Sequence, residues 1–229
     1  MRNDRDARPQ HHMANHDQTP RTLPETTQPR SQPAFQKTEK RIAVDATGFS
    51  PKAYHSWRRN QSRREYLKLH AAVGVLYKAI PSMEVTTGTV GETTQLGSLL
   101  ESLDDIESVS GDTGYLSHRN CELVEAKGAT PYLKPRSHSP EKPIGPPAWK
   151  RMIQSYRRNN PRWMTRYHTR SMAETAFSAI KRTLGHRLTS NRRDHQRLEL
   201  MIKVIVYNIT VLIKSTQRGV WRRSRCLPE

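Results

Sequence analysis

Tyr167, Arg170, Glu174 and Lys181 stand three, four and seven residues apart in a stretch that contains neither Pro nor Gly. Read as a helix at roughly 100° per residue, Tyr167 to Lys181 makes about four turns and brings the other three within about 60° of Tyr167. Ala173, Phe177, Ile180 and Leu184 recur at three- and four-residue steps and form an apolar stripe roughly 90° away. One face can therefore bury, while the adjacent face presents a phenol, a guanidinium, a carboxylate and an ammonium in a line. Lys and Arg this close to a lone Glu suit a site that handles metal and phosphate together. The same pattern also fits an ordinary solvated face, on which Arg170 and Glu174 form an i,i+4 pair worth a few tenths of a kcal/mol.

Two further acids stand out by position. Asp45 lies inside the apolar run Ile42-Ala43-Val44-Asp45-Ala46-Thr47-Gly48-Phe49, where a carboxylate is costly unless a cation or hydrogen bonds compensate it. Asp112 lies in Gly111-Asp112-Thr113-Gly114-Tyr115, at the end of a predicted strand. Each also fits a turn. Asp45, Asp112 and Glu174 brought together would make an all-oxygen site of the kind magnesium or manganese prefers. Two such ions can activate a water or hydroxyl and stabilise the leaving oxygen in phosphodiester displacement. Asp104 and Asp105 rank lower because they follow a helix pattern. His70, His118 and His168 show no paired ligand spacing.

The elements that must position these groups are strands and helices in alternation. The pattern predicts strands at Ile42–Phe49, Glu65–Val75, Ala79–Thr87, Ile106–Ser110 and Thr130–Lys134. In the second, Leu67, Leu69, Ala71 and Val73 alternate with Tyr66, Lys68, His70 and Ala72. Helices are expected at Thr93–Leu103, at His118–Lys127 with Gly128 as its C′ residue, and at Trp149–Trp163 with a break at Pro161. The helix of Glu174 should end near Gly185. The apolar stretch Leu198–Ile213 reads as a buried helix, since Lys203 and Asn208 interrupt it and it is short for a bilayer. The fold class is α/β, a mixed sheet flanked by helices.

Composition narrows the partners. In 229 residues there are 39 Lys+Arg against 21 Asp+Glu, a formal charge of +18. Such a balance favours a polyanion, nucleic acid before membrane. Residues 1–39 are rich in Pro, Gln, His and Arg and are expected to form a disordered basic tail. The catalytic domain is expected at 40–216, followed by a basic tail at 217–229. Arg58, Arg59, Arg63 and Arg64, in the basic segment Trp57–Lys68, are candidate DNA contacts; a solvated hairpin is the plainer reading. Cys121 and Cys226 form no CxxC, which argues against a disulfide framework or zinc site and for a reducing, cytoplasmic setting.

The spacing Tyr-x2-Arg-x3-Glu-x6-Lys at Tyr167, Arg170, Glu174 and Lys181 resembles the signature of a group of DDE transposases from bacterial and archaeal insertion sequences. Val44-Asp45-Ala46-Thr47-Gly48-Phe49-Ser50 and Gly111-Asp112-Thr113-Gly114-Tyr115 look like that family's first and second acid motifs. The segment from Leu198 to Ile209 is similar to its final helix. The resemblance covers roughly residues 41 to 214. It implies a ribonuclease H-like fold in which Asp45, Asp112 and Glu174 are catalytic and bind two Mg2+ or Mn2+ ions. It further implies that Tyr167, Arg170 and Lys181 contact transposon-end DNA, and that a homodimer acts on paired ends and on target DNA in the nucleoid. Two departures from the family pattern stand out. A folded helical segment usually precedes the first acid, and His-Asp often stands where this chain has Gly91-Glu92-Thr93. A truncated DNA-binding remnant, or a metal-dependent nuclease of the same fold, are the alternative readings.

Overall fold

Ile42, Ala43 and Val44 offer only apolar side chains in succession, and all three are buried. A strand of this kind belongs in the middle of a sheet covered on both faces. That is where the computed structural model, which describes residues 39–51, 66–136, 143–158 and 160–224, places it. The strands are β1 (Arg41–Pro51), β2 (Leu67–Gly74), β3 (Ser82–Thr87), β4 (Ser108–Gly111), β5 (Thr130–Leu133) and β6 (Arg187–Leu188). The helices are α1 (Leu96–Glu101), α2 (His118–Ala126), α3 (Pro147–Arg158), α4 (Asn160–Tyr167), α5 (Ser171–Leu184) and α6 (Arg193–Ser224). The sheet order is β3-β2-β1-β4-β5, with β6 pairing the far end of β1. β1 to β3 run antiparallel, and β1, β4 and β5 run parallel. This is the expected mixed, helix-flanked sheet.

Alternation along the strands divides the core into two layers. Ile42, Val44 and Ala72 pack with α1 to α4, around Leu96, Leu99, Tyr115, Val124, Ile153 and Trp163. Ala43, Phe49, Leu67, Leu69, Ala71 and Val73 pack with α5 and α6, around Ala173, Phe177, Ile180, Leu200 and Val204. The alternation predicted for β2 is thus realised residue by residue.

Three local expectations are corrected. The helix expected to begin at Tyr167 is two helices: α4 ends at Tyr167, a 3₁₀ turn covers His168–Arg170, and α5 begins at Ser171. The break expected at Pro161 falls earlier, and Pro161 sits in the first turn of α4, where its missing N–H costs nothing. The helix expected to be buried, α6, is buried on one side only. Leu200, Val204 and Tyr207 face the sheet, whereas Leu198, Ile202, Ile209 and Ile213 remain exposed.

The polar interruptions in α6 are its anchors. Asn208 is buried and grips Ile80 at both ends: its Oδ1 accepts from Ile80 N at 2.9 Å and its Nδ2 donates to Ile80 O at 2.9 Å. Lys203 donates to the carbonyls of Leu184, Gly185 and Arg187 at 2.6, 3.2 and 3.1 Å, which caps the C-terminus of α5.

Of the expected tail 1–39, all but Glu39 lies outside the described residues, as do Arg58, Arg59, Arg63, Arg64 and the end of the 217–229 segment. The backbone of α6 continues past the expected domain end at 216 to Ser224. No helix among the described residues is long and apolar enough to cross a membrane.

Asn208→Ala leaves both backbone groups of Ile80 buried without a partner, and should cost about 2–4 kcal/mol in chemical denaturation. Thr210→Ala, two residues along on the exposed side, should stay within about 0.5 kcal/mol of wild type. Equal stabilities for the two variants would show that the Asn208 clamp contributes nothing.

Candidate active site

The parallel ladder between β1 and β4 ends at the pair Val44–Gly111, so Asp45 and Asp112 are the next residue on each strand. There the chain of β4 turns out of the sheet. β1 continues alone on that side until β6 joins it at Ser50. The uncovered edge between these points is a crevice at the carboxyl ends of parallel strands, the usual place for a ligand in an α/β sheet.

Asp112 is fixed as it leaves the sheet. Its Oδ1 accepts from Gly114 N at 2.8 Å and caps the 3₁₀ turn Thr113–Tyr115. Gly111 has to be glycine for a steric reason: an added Cβ would lie 2.8 Å from Val44 Cγ2 and 3.0 Å from Leu133 Cδ2. Asp45 remains in the strand and is half-buried, and its Oδ1 accepts from Ala46 N at 2.8 Å. Burial pushes its carboxyl up to about 6; Asp112 and Glu92 push the same way, against Ala46 N–H and Arg170.

α5 supplies the opposite wall. The 3₁₀ turn before it docks on β4 where Thr169 Oγ1 meets Ser110 Oγ at 3.1 Å, and Ser110 in turn donates to Ile42 O at 3.3 Å. This docking sets Arg170 beside the acids. Arg170 pairs with Glu174 at 2.9 Å. Burial opposes its charge, but Tyr167, Glu174, Asp45 and Asp112 outweigh burial and hold the guanidinium firmly ionised. Arg170 is thus both the i,i+4 partner of Glu174 and the counter-charge of all three acids. Lys181, on one face with Glu174, donates to Thr47 Oγ1 at 2.6 Å and lies 5.2 Å over the ring of Phe49. Burial lowers the affinity of Lys181 for its proton. Asp45, Thr47, Glu174, Lys181, Arg182 and His186 line one cleft of about 540 Å³.

The tightened turn at His168–Arg170 changes the place of Tyr167. Its phenol was expected on the exposed line; the residue is instead 5% exposed, with its ring stacked on Trp163 at 5.4 Å. The Arg170 guanidinium lies over the Tyr167 ring, 5.6 Å from its centre. Tyr167 therefore serves as the shelf on which Arg170 rests. Asp104 and Asp105 point away, paired with Lys127 and Lys40. His70 is buried against Thr86, and His118 packs on Trp149. His186 and Arg182 reach the cleft without having been singled out in the sequence. Glu92 stood out there only as a departure from the family pattern.

Among the described residues, no three His, Cys, Asp or Glu side chains already converge as a finished metal-ligand set. The donors that do approach are carboxylates, and Asp45 is held in its costly ionised form with only part of its charge answered. An all-oxygen, charge-rich set of this kind fits a hard divalent cation.

The raised value for Asp45 has a stability consequence. The folded protein holds this proton more tightly than the unfolded chain, whose ordinary value is 3.8, so stability falls as pH rises from about 4 through about 6. In the absence of divalent ions, Asp45→Asn should therefore stabilise the protein at pH 8, on the order of 2–3 kcal/mol, and hardly at all at pH 4. Melting curves at the two pH values test this; a gain that does not depend on pH would be inconsistent with it.

Comparison with known proteins bears on the family and the fold. The model of the family described as "Transposase DDE domain" matches residues 36–209, a span that contains Asp45, Asp112, Glu174 and Lys181. No curated protein matches the chain. Among solved structures, a piggyBac transposase, determined by cryo-electron microscopy as a synaptic complex with hairpin DNA, superposes with a TM-score of 0.50 at 12% identity. The match covers 79% of this chain and 48% of that one, so this chain spans about half the length of the solved structure. At this identity the likeness is one of fold. The family match spans the strands and the helix that carry Asp45, Asp112 and Glu174, and the chain belongs to the DDE transposase domain family.

Proposed function

We propose that this protein is an insertion-sequence transposase, or its catalytic domain, that cuts and joins transposon-end DNA. The observation that carries the reading is the placement of Asp45 and Asp112 just beyond the last paired step of two parallel strands, with Glu174 and Lys181 sharing a cleft with Asp45 and with Arg170 in electrostatic range of all three acids. Asp45, Asp112 and Glu174 would hold Mg2+ or Mn2+, as two ions, which when bound activate the attacking oxygen and neutralise charge on the phosphate. Arg170 and Lys181 are cations at the rim of the same crevice and are suited to hold DNA phosphates. Tyr167 supports Arg170 from beneath. The solved relative is bound to hairpin DNA, which supports a DNA partner here, and the net charge of +18 agrees with one. A homodimer on paired ends, acting in the nucleoid, is the assembly that accompanies this reading.

The protein's own residues contribute in distinct ways. The Gly114 N–H keeps the Asp112 carboxylate aimed. The Thr169–Ser110 contact fixes the approach of α5 to the sheet, and hence the distance of Glu174 from the strand acids. Lys181 is tied to Thr47, so its ammonium is held in the cleft that Asp45 also lines and is not free to roam over solvent.

The direct test is cleavage and strand transfer on labelled DNA carrying the element's ends, with Mg2+ or Mn2+. Wild type should nick and join, and Glu174→Gln should lose at least about 100-fold in rate, of the order seen when one transition-state stabiliser is removed. Nicking without joining would make the protein a nuclease. Salt-sensitive binding with no cleavage in either protein would make it a binding remnant.

Outside the described residues, Arg58→Ala with Arg59→Ala should weaken DNA binding and reduce the slope of log K against log[salt] by up to about 2, roughly 0.9 for each phosphate no longer neutralised. An unchanged slope would remove this segment from the interface.

A further inference from the structure

Glu92 enters the same site from the opposite layer to Glu174. It opens the 3₁₀ turn Glu92–Thr94 that leads from β3 into α1. This turn is bolted to the Asp112 turn. Thr93 Oγ1 donates to Gly114 O at 2.6 Å, and the buried Asn120 donates to Thr93 O at 2.9 Å and to Tyr115 O at 2.7 Å. The result is close approach of two carboxylates. A Cβ added at Gly114 would overlap Glu92 Oε2 and lie 3.0 Å from Asp112 Oδ1. Glu92 Oε1 is held by Lys68 Nζ at 3.1 Å, with the two side chains only 23% and 17% exposed. Among the described residues, Oε2 has no such partner.

A second observation points into the same place. Tyr115 is 0% exposed, and its hydroxyl finds no hydrogen-bond partner among the described residues. Burial, then Glu92, Asp45 and Asp112, push this phenol upward, which sets it within electrostatic range of all three acids. A buried O–H left without an acceptor is destabilising, and Phe would avoid that cost. An oxygen that arrives with a ligand would supply the missing acceptor.

We propose that Glu92 is a fourth carboxylate of this site: with Asp112 it ligates one divalent cation on the side of the sheet away from Glu174, and Tyr115 donates to an oxygen that comes with that ion. Lys68 is the counter-charge that Glu92 keeps until the cation arrives. The inference rests on the reading of the site as metal-dependent.

The test is Mn2+ binding to the full chain, followed by calorimetry and by the loss of the free-ion electron paramagnetic resonance signal, with circular dichroism to confirm folding. Wild type should bind two ions. Glu92→Gln should weaken one of them at least tenfold and leave the other. Glu92→Asp should weaken the same ion, because a carboxylate one methylene shorter keeps the charge but loses the reach. Lys68→Met should bind that ion more tightly. Since Glu92→Gln strands a half-buried ammonium, the double variant Lys68→Met/Glu92→Gln serves if the single one is unstable, and it should show the same loss. Two ions bound to either Glu92→Gln variant as tightly as to wild type would overturn the proposal. So would full retention by Glu92→Asp, which would reduce Glu92 to a background charge. In those cases the metal-dependent reading survives. Failure of wild type to bind any Mn2+ would overturn both.

Discussion

Carboxylates gathered at the end of two parallel strands repel one another, and the structure is arranged around that repulsion. Asp45 and Asp112 are forced together by register, since the ladder between their strands ends one residue earlier. Water cannot fully screen them, because Asp45 is half-buried and its carboxyl is pushed up to about 6. The protein answers with cations brought from different elements: Arg170 from the 3₁₀ turn, and Lys68 from β2 by way of Glu92. Neither of them neutralises the acids completely. A site left with residual negative charge is one that a bound divalent cation would stabilise.

The rest of the fold keeps this arrangement from relaxing. If α5 could slide, Glu174 and Lys181 would move away from the strand acids together. Its N-terminal end is fixed through Thr169 and Ser110, and its C-terminal end through Lys203, which reaches back from α6 to three carbonyls at and beyond its last turn. α6 is fixed in turn by Asn208 on Ile80 and by Tyr207 on Lys78 O at 2.8 Å. The polar residues that make α6 unlike a membrane helix are therefore those that hold α5 in place. Each is buried and fully engaged, which is the condition under which a buried polar group specifies a structure and does not merely weaken it.

Much of this was legible in the sequence, for physical reasons that can be named. A run such as Ile42-Ala43-Val44 belongs in the middle of a sheet, so an acid that continues the same strand is costly there and marks a site. The period-two pattern of β2 and the three-and-four pattern of Ala173, Phe177 and Ile180 record burial directly. What escaped depends on contacts between distant segments. The 3₁₀ turn at His168–Arg170 is set by docking on β4, and it rotates Tyr167 into the Trp163 stack, a change that no periodicity encodes. The exposed apolar side of α6 carries the same residue types as its buried side, so hydropathy could not separate them. Glu92 followed a weak strand in a Gly- and Thr-rich stretch and had no local sign of its place. Only the Thr93–Gly114 and Asn120 hydrogen bonds bring it to Asp112.

The charge pattern of the chain then bears on the order of events at the site. Over long distances a net charge of +18 draws a polyanion in, and salt weakens that pull. Inside the crevice carboxylates enter the balance: Asp45 and Glu174 form part of its floor beside Lys181 and Arg182, with Asp112 and Glu92 in electrostatic range of Asp45. A phosphodiester that reaches the floor without a cation meets carboxylates that already repel each other. One that arrives after a cation meets a neutralised floor and the two rim cations, Arg170 and Lys181. On the proposed reading, attraction at the surface and chemistry at the floor would be separable: loss of any one acid would spare the first and abolish the second.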